Sequence, residues 1–226
     1  MIPSILTIFF DLVIRPLELF FEVVFSIANR IVGNPGFAII ILSLAVNFLV
    51  LPLYKRADEV QKEERDLEAA LADGIAHIKK TFKGDERMMM LNTYYAQNNY
   101  SPLYVLKGSV SLLLQIPFFM AAYRFLSNLR LLRGVSFGPI HDLGAPDQML
   151  VLFGIGINVL PILMTLINFI SGYIYTKGMP LKSKVQLYAM AIVFLVLLYK
   201  SPSGLAFYWT LNNVFSMLKN VFYRFE

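Results

Sequence analysis

The sequence contains no cysteine in its 226 residues, which excludes a disulfide framework and any thiolate metal site. Histidine is almost as scarce: His77 and His141 lie far apart in the chain, and a His-based metal site is not expected from them. No Walker-type phosphate loop is present, and no nucleophile–base pair of the kind a membrane enzyme requires. The chain is therefore expected to have no catalytic residues and no cofactor. Charged residues make up only 15% of it, and the net +5 is spread between apolar stretches, so nucleic-acid binding is not expected either.

What the sequence does have is hydrocarbon. Apolar residues account for 57% of it and the mean hydropathy is +0.61, more than a soluble domain of this size carries. The apolar residues come in long runs, at 36–54, 104–126, 149–171, 183–199 and 204–222. Each is near the ~20 residues a helix needs to cross a bilayer. The expected fold class is all-α: a polytopic membrane protein with five transmembrane helices and residues 1–226 as a single core.

The first segment, 5–32, differs. Asp11, Arg15, Glu18 and Glu22 are spaced to fall on one helical face, which Ser26 and Asn29 continue, and the rest is Phe, Leu, Val and Ile. This predicts an amphipathic helix lying in the interface, kinked at Pro16. A spanning helix and a signal peptide are the alternatives. The signal peptide fits poorly, because charges interrupt the apolar stretch and no basic region precedes it.

Residues 55–102 form the one long hydrophilic segment. "KRADEVQKEERDLEAALAD" is rich in helix formers with charge pairs such as Asp58–Lys62, and "DERMMMLNTYYAQNN" reads as a second helix. Together they predict a helical hairpin outside the membrane. Asp58, Glu59, Glu63 and Glu64 read as its solvated surface, and Met88–Met90 as packing between its arms. The loops alternate in charge: fourteen of the 20 Lys and Arg fall on the hairpin's side and six on the other. The richer side is cytoplasmic by the positive-inside rule, so the expected location is the plasma membrane, multi-pass, with the N-terminus outside and the C-terminus inside.

Within the spans, polar residues recur at mid-depth. Ser43 and Asn47, Ser111 and Gln115, and Asn212 and Ser216 are each four apart and so share a helical face. Such groups either bond one another or line water. For Asn158, Asn168 and Asn213 the expected role is to hold helices together. Lys107 and Arg124 lie near opposite ends of the second span, where snorkelling to headgroups is expected. Trp209 reads as an interfacial belt residue unless the family resemblance described below, which makes it a groove wall, applies, and Tyr208 reads as packing. His141 is expected to pack within its loop.

Several local patterns, taken in order, resemble the YidC/Oxa/Alb membrane protein insertases. "LVLPLYKR" resembles the end of that family's first conserved span, and "TFKGDERMM…YY…NNYSPL" the second arm of its cytoplasmic hairpin. "LLLQIPFFMAAYRFL" resembles the second span, "IHDLGAPD" the outer loop, "VLPILMTLINFISGYIY" the third span, and "SPSGLAFYWTLNNVFSMLKN" the final turn and span. The resemblance implies a protein that receives hydrophobic segments of nascent membrane proteins in a polar groove open to the cytoplasm and to lipid. The Sec translocon and the ribosome are candidate partners beside the lipid bilayer. A membrane protein assembly chaperone or scaffold on the same fold is the alternative. The resemblance places Asn47, Gln115 and Trp209 at the groove, and the one-turn spacing adds Ser43, Ser111, Asn212 and Ser216 as its further lining. It also marks a departure: five residues before Pro52, where the family usually has a groove arginine, this chain has Asn47. Lys107 is the candidate replacement charge. Near the C-terminus only Lys219 and Arg224 are basic, so a ribosome-binding basic tail of the kind some members carry is not expected.

Overall fold

The computed structural model describes residue 7 and residues 9–100, 110–175 and 181–222. They are mostly helical, and they divide into two compact units, one made of residues 1–49 and 117–226, the other of Val50–Ile116.

In the first unit, a π-helical turn at Phe10–Ile14 leads into α1 (Arg15–Val32). Pro16 falls in the first turn of α1, where its missing N–H has no intrahelical partner to lose, so the helix forms around it. The segment has three faces. Ile14, Phe21, Phe25 and Ala28 are buried. Asp11, Arg15, Glu22 and Ser26 form an exposed polar stripe. Leu19, Val23, Ile27 and Ile31 form a second exposed stripe that is wholly apolar. Edge-on aromatic contacts seat the buried face: Phe21 lies 5.8 Å from Tyr208 and 6.3 Å from Phe125, and Phe25 lies 5.7 Å from Phe125. The polar stripe is not simply solvated. Arg124 donates to Glu18 at 2.5 Å and lies over the ring of Phe10, so it is tied to this segment rather than reaching freely outward.

Asn34 starts the next helix by accepting from the backbone N–H of Gly36 at 2.8 Å and of Phe37. That helix, α2 (Pro35–Thr81), runs unbroken for 47 residues. The sequence pattern separates a span at 36–54 from a hairpin arm after it. They are one helix: 53–81 is rich in helix formers, and neither Pro52 nor Gly74, which reads in the sequence as a turn signal, ends it.

The second unit contains the rest of α2, the helix α3 (Gly84–Gln97) and the first turns of α4 (Val110–Asn128). Within it Ala57, Gln61, Glu64, Leu71, Ile78 and Tyr100 are buried. Gly74 leaves room for the Tyr94 ring, which a Cβ at that position would overlap. Two expectations are corrected here. Glu64 is not on the solvated surface: it is buried and accepts a 2.9 Å hydrogen bond from the Tyr100 hydroxyl. Met88 and Met89 do not pack between the arms but are exposed, because α3 has no buried face of its own.

The third apolar run starts differently from expectation. Residues 149–158 are not helical. Leu150–Leu152 (β1) and Ile155–Ile157 (β2) pair antiparallel, with Leu150 opposite Ile157 and Leu152 opposite Ile155. Phe153 and Gly154 turn between them at φ +52° and +79°, a conformation that favours the glycine. The class is therefore mostly helical rather than all-α. The helix α5 begins only at Val159 and runs to Tyr175, followed by α6 (Leu181–Leu198) and α7 (Ser203–Phe222). Asp147 fixes that start: its carboxylate accepts from the N–H groups of Val159 at 2.7 Å and Leu160 at 2.9 Å, two orphan donors of α5. Packed against α5 are α6 and α7.

The loops of this unit gather at one end. Asp142 accepts from the N–H groups of Gly134 and Gly144, and Ser203 donates through its hydroxyl to the Asp142 carbonyl. The N–H groups of Ser203 and Gly204 bond Ala145 and Leu143. Phe137 contacts Phe37 at 5.1 Å and Phe207 at 5.5 Å. His141 is exposed in this loop rather than packed in it.

Candidate functional site

Of the residues singled out in the sequence, three meet across two helices. Asn47 and Ser43 share one face of α2, one turn apart, and Asn212 on α7 comes up against them. Asn47 Nδ2 donates to Asn212 Oδ1 at 2.5 Å and to the Ser43 carbonyl at 2.8 Å. The Ser43 hydroxyl donates to the same Asn212 oxygen at 2.8 Å. Ser43 is buried, and Asn47 and Asn212 are half-buried. Among the described residues, Asn47 Oδ1 and Asn212 Nδ2 have no protein partner. The cluster is thus neutral and half-satisfied: it ties two helices together and still offers one acceptor and one donor. Ser216, one turn along α7 from Asn212, is half-buried, and Phe48 and Phe215 meet at 5.9 Å alongside.

Gln115 falls in the second unit and is half-buried there. The side chain of Ser111, and Lys107 entirely, lie outside the described residues.

Trp209 is 4% exposed. It sits edge-on to Phe119 at 5.1 Å, and close to Phe194 and Tyr208, both at 5.7 Å. An interfacial belt residue needs an indole at the surface, so that alternative does not hold: Trp209 belongs to an aromatic cluster inside the unit. Tyr208 is fully buried, as packing requires.

Of the amides expected to hold helices together, Asn158 does so. It donates to the Tyr199 carbonyl at 2.6 Å and accepts from the Gln148 N–H. Asn213 differs: it is buried, yet among the described residues its side-chain nitrogen has no partner. Thr165 and Thr210 satisfy their hydroxyls on the carbonyls one turn back, at Pro161 and Ala206. Two interactions escaped the sequence reading: Glu64–Tyr100 and Glu18–Arg124. Each links residues far apart in the chain. Burial raises the Tyr100 hydroxyl well above its ordinary pKa, and the hydrogen bond to Glu64 and the charges of Glu64 and Glu68 add to the rise.

Beside an apolar core, several polar side chains are buried and many large apolar ones are exposed. Ser43, Asn158, Thr165, Thr210 and Asn213 are buried, while Leu44, Phe48, Leu163, Leu166, Ile170, Ile192, Val196 and Leu197 are exposed along their helices. α2 also holds an apolar stretch long enough to cross a bilayer, and α5 and α6 hold shorter ones. Helices of this kind belong to a membrane protein. Residues 27–225 match the family described as 60Kd inner membrane protein, and the chain belongs to that family, the YidC/Oxa/Alb group its motifs resemble.

Among its relatives, a membrane protein insertase YidC of Treponema denticola is 29% identical over 224 residues, covering 92% of this chain and 37% of that protein. One of Herminiimonas arsenicoxydans is 30% identical over 202 residues, covering 86% of this chain and 34% of its own length. The chain thus spans about a third of the curated relatives it matches. A crystal structure of an active YidC insertase, with its first transmembrane domain resolved, shares the fold: TM-score 0.56 at 24% identity, over 93% of this chain and 46% of that one.

Proposed function

We propose that this chain is a membrane protein insertase core. It receives hydrophobic segments of nascent membrane proteins in a polar groove open to the cytoplasm and to lipid, and releases them into the bilayer. The observation that carries this reading is the Ser43–Asn47–Asn212 cluster. It is a set of neutral polar side chains between two apolar helices, with an acceptor and a donor still unspent, in a chain whose relatives are named insertases.

The energetics require no covalent step. A charged flank of a substrate segment costs about 2.5–3.5 kcal/mol at mid-bilayer on insertion scales. A hydrated half-path lined by amides and hydroxyls keeps that flank solvated for part of the route. Transfer of the segment's apolar surface into lipid, worth roughly 25 cal/mol per Å², then drives insertion. Ser43, Asn47, Asn212 and Ser216 line the groove in this reading. Trp209 backs the wall through its aromatic neighbours. The whole chain 1–226 acts as one core in the plasma membrane, its five spans preceded by α1 lying on the outer surface. Its 55–102 hairpin and its C-terminus are cytoplasmic, and it works alone or beside the Sec translocon and the ribosome.

A second function is favoured by one feature of the same cluster. The Asn47 donor is committed to Asn212 and Ser43, and no formal charge is present there, as suits a scaffold that assembles membrane proteins without moving polar flanks. Purified protein in proteoliposomes separates the two. A single-span substrate is synthesised in their presence, and protease protection of its polar flank is scored. Protection that depends on the protein supports the insertase. Integration of pre-inserted partners without flank protection supports the scaffold.

A further inference from the structure

The β1–β2 hairpin is apolar on both of its faces. Leu150, Val151, Leu152 and Ile155 are all exposed, and Phe153 at the tip is 98% exposed. Side chains alternate between faces along a strand, so a hairpin in water presents a polar residue at every second position. Here neither face does: the only residues between Leu150 and Ile157 that are not large and apolar are Gly154 and Gly156. An exposed projection of this composition needs a cover.

The cover is identified by what adjoins it. Two residues past the hairpin α5 begins, and its exposed side chains Ile162, Leu163, Leu166 and Ile170 are apolar as well. In a chain of an inner membrane family that surface is the one facing lipid. The base of the hairpin is the opposite in character. Asp147, Gln148 and Asn158 are bonded there, and Asn158 reaches the Tyr199 carbonyl, next to the exposed cation Lys200. An apolar tip above a polar, cationic base matches the gradient from acyl chain to phosphate.

We propose that the 150–157 hairpin is a lipid-dipping element: Phe153 and its neighbours enter the boundary between headgroups and acyl chains, with Lys200 beside its base set against lipid phosphates. Depth is limited by the backbone. The outer edges of a two-stranded hairpin keep unpaired N–H and C=O groups, which hydrocarbon does not tolerate, so the element stops in the boundary layer. Three paired residues span roughly 10 Å, the thickness of that layer. Its length and position make it a wedge in one leaflet beside α5, not a further span.

The absence of cysteine makes the test direct. Phe153→Cys is labelled with an environment-sensitive fluorophore in the full chain and reconstituted into vesicles of zwitterionic and anionic lipid. Separate preparations carry spin-labelled lipid with the quencher either near the headgroup or deep in the acyl chain. Ser136→Cys, in an exposed loop, and Leu166→Cys, on α5, are the controls. The expected result is blue-shifted emission from position 153, quenched more by the shallow label than by the deep one. Emission as in water with no quenching overturns the proposal. Stronger quenching by the deep label overturns the boundary placement. Blue-shifted emission that neither label quenches also overturns it, and assigns the hairpin to a protein surface such as a second copy of this chain.

Discussion

Asn47 donates to Asn212 at 2.5 Å across 165 residues of sequence, and Ser43 donates to the same oxygen. One carboxamide oxygen thus receives two donors from α2. The helices α2 and α7 are joined by a bond that does not depend on charge. If the pair couples the helices, Asn47→Leu and Asn212→Leu each lower stability, by about 0.5–1.5 kcal/mol, and the double variant costs clearly less than their sum. Reversible unfolding in mixed detergent micelles measures all three. Strict additivity shows that the bond contributes nothing.

Trp209 is the only tryptophan, so its fluorescence reports one site. Enclosed by Phe119, Phe194 and Tyr208, it is expected to emit to the blue of free indole and to resist an aqueous quencher such as iodide. Ready quenching by iodide places the indole in a water-filled space and removes the buried cluster.

In the hairpin unit, Tyr100→Phe removes the donor to Glu64 and leaves a buried carboxylate short of a partner, a loss of about 1–3 kcal/mol of local stability. Hydrogen exchange across residues 57–78 and 84–97 is expected to speed up relative to the other unit. The wild type also carries a pH signature. Its Tyr100 pKa lies above the ordinary value of 10.0, so the folded unit holds that proton more tightly than the unfolded chain does. The resulting stability is complete below pH 10 and declines as pH rises past it towards the folded value. Tyr100→Phe abolishes this alkaline decline; an unchanged pH profile in the variant assigns it to another group.

Asp147→Asn keeps the shape of the cap but removes the charge at the start of α5, and is expected to cost about 0.5–2 kcal/mol. The signature is faster exchange at Val159 and Leu160, with α7 unaffected. Unaltered exchange there means that the carboxylate does not hold the helix.

Glu18 and Arg124 tie the N-terminal segment to the end of α4 through a partly exposed pair. Arg124→Gln is expected to cost no more than about 1 kcal/mol, and less at high salt. Cleavage by a protease within residues 10–20 should rise in the variant at low salt, and the charge-reversed pair Glu18→Arg with Arg124→Glu should reduce it again. No recovery means that Arg124 acts through the Phe10 ring alone.

The sequence makes some of this legible and hides the rest for physical reasons. Periodicity reveals a one-turn relation such as Ser43 to Asn47, and it places Asp11, Arg15, Glu18 and Glu22 on one stripe. It does not reveal that α1 has a separate exposed apolar stripe beside the buried one, since Leu19 and Phe21 look alike until a neighbour covers one of them. "LVLFGIGI" is an apolar run whose length fits helix or strand, and Gly154 and Gly156 decide for the hairpin by weakening the helix and supplying the turn. Glu64 reads as surface because its neighbours are charged; only Tyr100, 36 residues on, explains its burial. The Asn47–Asn212 contact belongs to the same class, a pairing set by how helices meet rather than by either helix alone.

The most direct test of the account asks whether substrate passes the Asn47–Asn212 cluster. Asn47→Cys in this cysteine-free chain is paired with stalled nascent membrane-protein chains that each carry one cysteine, and thiol crosslinking is followed in native membranes as chain length increases. The account predicts crosslinks at Asn47 over a defined window of lengths, with matching ones from Ser216→Cys. Silence at both positions, while the same nascent chains still insert, contradicts it and leaves the cluster as a bond between helices only.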